Sequence, residues 1–168
     1  MPVRAPRFET RWFVAGDLPR QLRPVTRSVK RVDSYHAVSL SPNLSVKRRG
    51  DTKWPESKTR ARAEVMTVGG LHAVVERWQK WRVRDERPCQ LSGPWIPVVK
   101  QIWSLDGIEV ARVAVDDGKW WSLAFPIEGG HPPRSPLVVR WLGHVGEAGV
   151  ASSYASWLTD RNVASQAA

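Results

Sequence analysis

Charged side chains occupy alternate positions in several short segments of this chain, and this pattern constrains the fold more than any other feature. Residues 7–12, 44–49, 60–65 and 76–84 each place mostly basic side chains on one set of alternate positions. Because successive side chains of a β-strand point to opposite faces of the sheet, each segment predicts a strand with one polar, largely basic face.

These basic faces can be arranged in two ways. In one arrangement they meet inside a barrel, while the apolar faces pack outward against helices. In the other, the apolar faces form the core and the basic faces are solvated, which is the commoner environment of a charged strand face. The alternation alone favours the second arrangement.

The order of the predicted elements indicates the fold class. Eight segments have the composition of short strands bounded by turn residues: 8–14, 32–40, 44–49, 60–68, 75–84, 98–103, 108–115 and 120–127. Residues 18–22, 137–143 and 152–160 predict helices, and the proline-containing connections 50–59 and 85–97 are predicted to lie outside strand interiors. We therefore expect an α+β, mainly β fold, an eight-stranded antiparallel barrel (tunnel) with flanking helices. A single domain over residues 7–161 would lie between flexible residues 1–6 and 162–168.

The charge balance predicts a polyanionic partner. The chain has 26 Lys and Arg against 16 Asp and Glu, a formal net charge of +10. Such an excess attracts nucleic acid, polyphosphate, nucleotides or acidic lipid without distinguishing among them.

Ten tryptophans and one cysteine set further expectations. Trp12, Trp81, Trp103 and Trp141 lie away from the basic faces and are predicted to be buried between the barrel wall and the helices. The lone Cys89 cannot form an intramolecular disulfide, so the thiol is expected to be incidental or buried in a cytoplasmic protein. No signal peptide and no apolar run of ~18 residues is present, which predicts no membrane partner.

Several scattered residues together resemble the CYTH superfamily, the triphosphate tunnel metalloenzymes. The opening Glu-x-Glu-x-Lys signature of that family falls on Arg7, Glu9 and Arg11, and its basic third strand resembles residues 44–50, with Lys47 and Arg49 at phosphate-gripping places. The sixth-strand Lys-x-Arg falls on Lys100 and Ile102, and the closing segment is similar to Trp141-Leu142-Gly143, Tyr154 and Leu158.

This resemblance implies an eight-stranded barrel whose interior holds a triphosphate. The basic faces then turn inward, and arginine and lysine side chains would grip the phosphates. The expected phosphate-binding residues are Arg11, Lys47, Arg49, Arg60, Arg62, Lys80, Arg82 and Lys100.

The chain departs from the family at the acidic residues that hold divalent metal ions. Arg7 replaces the first acid, Ala111 and Arg112 replace acids of the seventh strand, and the paired glutamates of the eighth strand are absent. Glu9 and Glu109 are the remaining candidate metal ligands, and a hard cation prefers more carboxylate oxygens than these supply. No cofactor is assigned, with Mg²⁺ or Mn²⁺ expected only if the protein is active, and no catalytic residue is assigned.

Three functions follow from these observations. The first is binding of a phosphate chain, a triphosphate nucleotide or inorganic polyphosphate, with little or no hydrolysis. The second is a nucleic-acid-binding or interaction module with a basic exterior, since residues 78–84 and 119–121 mix bases with aromatics as single-strand binders do. The third is a metal-dependent triphosphatase with unusual ligands.

Overall fold

The structure is a computed structural model that describes residues 8–52, 54–82, 91–129, 131–146 and 148–166, with only the backbone of Arg82 and of residues 163–166. The predictions for residues 1–6, Arg7 and Cys89 fall outside these ranges. The side chain of Arg82, a predicted phosphate ligand, is also outside them.

Eight antiparallel strands form a closed barrel in the part of the chain that the structure describes. They are β1 (Phe8–Ala15), β2 (Val29–His36), β3 (Leu44–Arg49), β4 (Glu56–Val68), β5 (Leu71–Arg82), β6 (Trp95–Leu105), β7 (Ile108–Val115) and β8 (Gly118–Pro126). The strand order is β5-β4-β3-β2-β6-β7-β8-β1, and pairing of β1 with β5 closes the ring. The predicted mainly β barrel is confirmed.

Short elements complete the chain. A 3-10 turn (Arg20–Leu22) precedes β2, and helix α1 (Pro136–Val145) follows β8. The two-residue strand β9 (Val150–Ala151) pairs with β1 and leads into helix α2 (Tyr154–Gln166). Neither helix is long and apolar enough to cross a membrane, within the described residues.

Strand β4 begins earlier than the sequence predicts. It starts at Glu56, so the prediction that residues 50–59 lie outside strand interiors is wrong for the last four of them. Pro55 lies immediately before the strand, where its missing N–H removes no ladder hydrogen bond. Strand β2 likewise starts at Val29 rather than at residue 32.

Helix α1 covers one outer wall of the barrel. The Ser135 side chain caps its first turn by accepting a hydrogen bond from the Leu137 N–H at 3.3 Å. The buried positions recur at helical spacing: Val138, Trp141, Leu142 and Val145. This face packs on a core cluster that contains Trp12, Trp103 and Trp121.

The predicted burial is confirmed for three of the four tryptophans. Trp12, Trp103 and Trp141 are buried, and the indole N–H of Trp141 donates to the Leu22 carbonyl at 3.1 Å. Trp81 is 50% exposed, so its predicted burial is wrong. It lies near the end of β5 opposite Ser57, outside the cluster that α1 covers.

Helix α2 closes one end of the barrel interior. Its residues Trp157 and Leu158 are buried in a second apolar cluster with Phe13, Val98 and Val113. The ring of Trp157 stacks on that of Phe13 with the centroids 4.2 Å apart. Apolar side chains therefore fill this end, and polar side chains occupy the rest of the interior.

Candidate functional site

A basic cavity of about 160 Å³ lies inside the barrel. Among the described residues, two acidic side chains line it, those of Glu9 and Glu109. Seven basic side chains line it as well: Arg11, Arg31, Lys47, Arg49, Lys58, Lys80 and Lys100. We call this space the basic cavity.

Strand pairing explains why the bases converge. Residues directly across from each other in adjacent strands share a face of the sheet. Lys47 lies opposite Tyr35 on one side and Glu56 on the other, and Arg31 lies opposite Lys100. Alternate residues of neighbouring strands therefore lie together on the inner face of the barrel. The intervening apolar residues lie on the outer face, where one wall packs against α1.

The structure brings five of the eight predicted phosphate ligands to the basic cavity. Arg11, Lys47, Arg49, Lys80 and Lys100 line it, as do both candidate metal ligands, Glu9 and Glu109.

Arg60 and Arg62 do not belong to this lining. Arg60 lies opposite the inward-facing Trp78, but its guanidinium binds Glu76 at 2.9 Å. Arg62 pairs with Glu64 on the exposed surface, so its predicted inward orientation is wrong. The register of β4 against β5 shifts between Arg60 and Arg62, and this bulge moves Arg62 to the outer face.

One buried carboxylate, that of Asp33, forms ion pairs with three basic side chains of the cavity. The Asp33 side chain is fully buried and lies 2.8 Å from Lys100 Nζ, 3.4 Å from Lys47 Nζ and 3.1 Å from Arg31 Nε. Burial opposes ionisation of Asp33, but the positive charges of Lys100 and Lys47 lower its pKa to about 2. Asp33 therefore stays charged and offsets only part of the positive charge around it.

Three buried lysines of the basic cavity have lowered pKa values. Burial lowers the pKa of Lys47 to about 8, although Asp33 acts in the opposite direction. Burial and the nearby charge of Lys47 lower the pKa of Lys100 well below its usual range. Burial also lowers the pKa of Lys58, for which the described residues provide no ion pair. A bound anion would stabilise the protonated form of each of these amines.

Two tyrosines surround Lys100 Nζ. Lys100 Nζ donates a hydrogen bond to the Tyr35 hydroxyl at 3.1 Å and lies 3.6 Å from the ring centroid of Tyr154. Arg11 lies 4.7 Å from the same ring. Burial raises the pKa of Tyr154 to about 12, so this residue adds no negative charge near neutral pH.

The acidic residues do not form a site that fits a divalent cation. Glu109 accepts a hydrogen bond from Arg11 at 2.9 Å, which engages one of its carboxylate oxygens. Ala111 lies two residues further along β7, on the same face as Glu109, and its buried side chain offers no oxygen. Arg112 contacts Gln101. The described residues contain no group of three or more His, Cys, Asp or Glu side chains able to hold a metal ion. Two acids among seven bases are a poor donor set for Mg²⁺.

Sequence reasoning missed several residues of the basic cavity. Arg31, Asp33 and Tyr35 alternate along β2 and share its inner face. Asp33 and Tyr35 lie within the predicted strand 32–40, where the periodicity rule places them on one face, whereas Arg31 precedes that predicted strand. Lys58 falls in the predicted connection 50–59, which contains Pro55, but lies in β4. Trp78 belongs to a segment whose composition is typical of single-strand binders, but its side chain lines the cavity and is buried.

Comparison with known proteins adds no family assignment. No protein-family model matches this chain, and no curated protein matches it significantly.

Proposed function

We propose that the basic cavity binds a short phosphate chain, either inorganic polyphosphate or the triphosphate of a nucleotide, without a divalent metal ion. The observation that carries this proposal is the convergence of seven lysine and arginine side chains on one cavity. Four carboxylates, those of Glu9, Glu109, Asp33 and Glu56, line the cavity or pair with its bases, which leaves an excess of positive charge. Several charge-assisted contacts in a partly desolvated site favour a compact ligand with multiple negative charges.

The size of the cavity supports a phosphate chain as the enclosed group. Its volume of about 160 Å³ is below the ~300–1,000 Å³ of pockets that enclose drug-sized ligands. A nucleotide would therefore place its phosphates inside and its base outside. Duplex nucleic acid cannot enter a closed barrel of this size, so it could contact only the exterior.

The resemblance to the CYTH superfamily points to the same ligand class. In that family the corresponding barrel holds a triphosphate, and Arg11, Lys47, Arg49 and Lys100 of this chain fall at or near its basic positions. The proposal keeps the phosphate-binding part of that resemblance and omits metal-assisted hydrolysis, because the acids that would hold the metal are replaced.

A calorimetric titration tests this proposal. Inorganic tripolyphosphate is added to the protein at low salt, once in EDTA and once in Mg²⁺, with duplex DNA titrated in parallel. We expect saturable binding of one tripolyphosphate in EDTA, with no gain in affinity from Mg²⁺. Absence of tripolyphosphate binding, together with DNA binding that weakens steeply with salt, would instead support the nucleic-acid function.

The affinity for tripolyphosphate should decrease as the pH rises through about 8. Lys47 has a pKa of about 8 in the free protein and faces Asp33, Glu56, Arg49 and Lys58. A bound anion raises this pKa, so the contribution of Lys47 is complete below pH 8 and is lost above it. Between pH 7 and 9 we expect a roughly tenfold loss of affinity from this group.

The Lys47→Arg variant is the control for this pH dependence. Arginine keeps its charge throughout this range, so the variant removes the titration of residue 47 while retaining a cation. The ligand's own ionisation affects both proteins equally. Identical pH profiles for wild type and variant would show that Lys47 does not contact the ligand.

We expect little or no release of phosphate from tripolyphosphate. Phosphoryl transfer depends on metal ions and positioning groups that offset developing charge and orient water. Glu109 is engaged by Arg11, and the described residues provide no metal cluster. Phosphate release that requires Mg²⁺ or Mn²⁺ and disappears in Glu9→Gln would contradict this expectation and support the metal-dependent triphosphatase.

A further inference from the structure

We propose that the basic cavity takes only the free end of a phosphate chain, with the terminal phosphate at the inner end beside Arg11, Lys47 and Lys100. This inference rests on the proposed function and adds to it the requirement for a chain terminus. The supporting observations are a gradient of exposure along the cavity and the closure of its inner end.

The exposure of the lining cations decreases from the mouth inward. The side chains of Lys80 and Arg49 are 57% and 41% exposed. Those of Lys47 and Lys100 are 6% and 2% exposed, although all four line the same cavity. Solvent therefore enters from the side of Lys80 and Arg49, and Lys100 lies at the inner end.

Helix α2 closes this inner end. Tyr154, its first residue, lines the cavity and covers Lys100 with its ring. One turn further along the helix, Trp157 and Leu158 pack with Phe13 and other inner-face residues of the barrel. Described side chains fill the barrel beyond Tyr154, so within this part of the protein a phosphate chain that enters at the mouth finds no exit at the opposite end.

A blind cavity makes the chain terminus the group that is recognised. A terminal phosphate presents three oxygens that are not shared with another phosphorus, whereas an internal phosphate presents fewer. The cations at the inner end come from three strands, Arg11 from β1, Lys47 from β3 and Lys100 from β6, so several oxygens of one terminal phosphate can be contacted at once. An internal segment would have to fold double to reach them.

The stoichiometry of binding to linear polyphosphate of increasing length tests this inference. Wild-type protein is titrated at a salt concentration at which Lys47→Met no longer binds polyphosphate. Under this condition the binding signal comes from the basic cavity and not from the outer surface of the protein. We expect at most two protein molecules per polyphosphate chain, one at each end, whatever the chain length.

Linear tripolyphosphate should also bind more tightly than two ligands that lack a free terminus, cyclic trimetaphosphate and a polyphosphate capped at both ends by nucleosides. We expect a difference in affinity of roughly tenfold or more.

The possible results separate this inference from the proposed function. If the number of bound proteins grows in proportion to chain length, or if capped and linear chains bind equally, internal segments are recognised and the inference is wrong, while phosphate-chain binding stands. If linear tripolyphosphate itself does not bind, or if Lys47→Met binds polyphosphate as wild type does at every salt concentration, the proposed function fails as well.

Discussion

Replacing Trp12 with alanine should lower the free energy of unfolding by ~3–5 kcal/mol, the usual cost of truncating a large buried aromatic. Trp12 is 1% exposed, and its ring lies 5.5 Å from that of Phe125 between the barrel wall and α1. Its indole N–H donates to the His72 carbonyl at 2.8 Å, so truncation removes a hydrogen bond as well as apolar contact. Denaturant melts monitored by circular dichroism measure the difference.

Trp81→Ala is the matched control for this experiment. The Trp81 side chain is 50% exposed, and its indole N–H reaches only the Thr59 hydroxyl at 3.3 Å. We expect a change in unfolding free energy of less than ~1 kcal/mol. Similar losses for Trp12→Ala and Trp81→Ala would contradict the packing of α1 on one wall.

Asp33→Asn should also destabilise the protein strongly, by ~3–5 kcal/mol, because it removes the buried anion of an ion-pair cluster. Arg31, Lys47 and Lys100 would then lie together without their shared counterion. Saturating tripolyphosphate should raise the melting temperature of Asp33→Asn more than that of wild type, since the ligand supplies the missing negative charge. Thermal melts with and without ligand compare the two proteins.

The pH dependence of the free energy of unfolding gives a second test of the stabilising role of Asp33. Its pKa falls from an ordinary value near 3.8 to about 2 on folding, so its contribution is complete above pH 4 and is lost as the pH falls toward 2. Asp33→Asn should lack this loss, whereas Asp117→Asn, the same change in an exposed turn, should retain it. Equal acid sensitivity in all three proteins would contradict the role of Asp33.

The alternation of charged side chains predicted most of the strands and which residues share a face, whereas the inward orientation of the basic faces was expected only from the resemblance. Arg11, Lys47 and Arg49 lie on the inner face because their strands keep a regular two-residue period. The same rule was wrong for Arg62, because one extra residue in β4 reverses the faces after Arg60. A bulge of this kind depends on how β4 and β5 pair, which the local pattern of β4 does not encode.

Other features of the site depend on contacts between residues distant in sequence. Asp33 and Lys100 are 67 positions apart and meet only when β2 pairs with β6. Tyr154 was predicted on a closing helix by resemblance, but its position over Lys100 depends on how α2 packs into the barrel end. The exposure of Trp81 likewise depends on which wall α1 covers. Such relations are set by tertiary packing rather than by local sequence.

The most direct test of the basic cavity as a phosphate-chain site compares Lys47→Met with Arg62→Met by calorimetric titration of tripolyphosphate in EDTA. Both variants lose one positive charge, but Lys47 lines the cavity and Arg62 pairs with Glu64 on the exposed surface. Loss of a charge-assisted contact of ~1.5–3 kcal/mol predicts a roughly 10- to 100-fold weaker affinity for Lys47→Met. Arg62→Met should bind as wild type does. Equal affinities for the two variants would contradict phosphate binding inside the barrel.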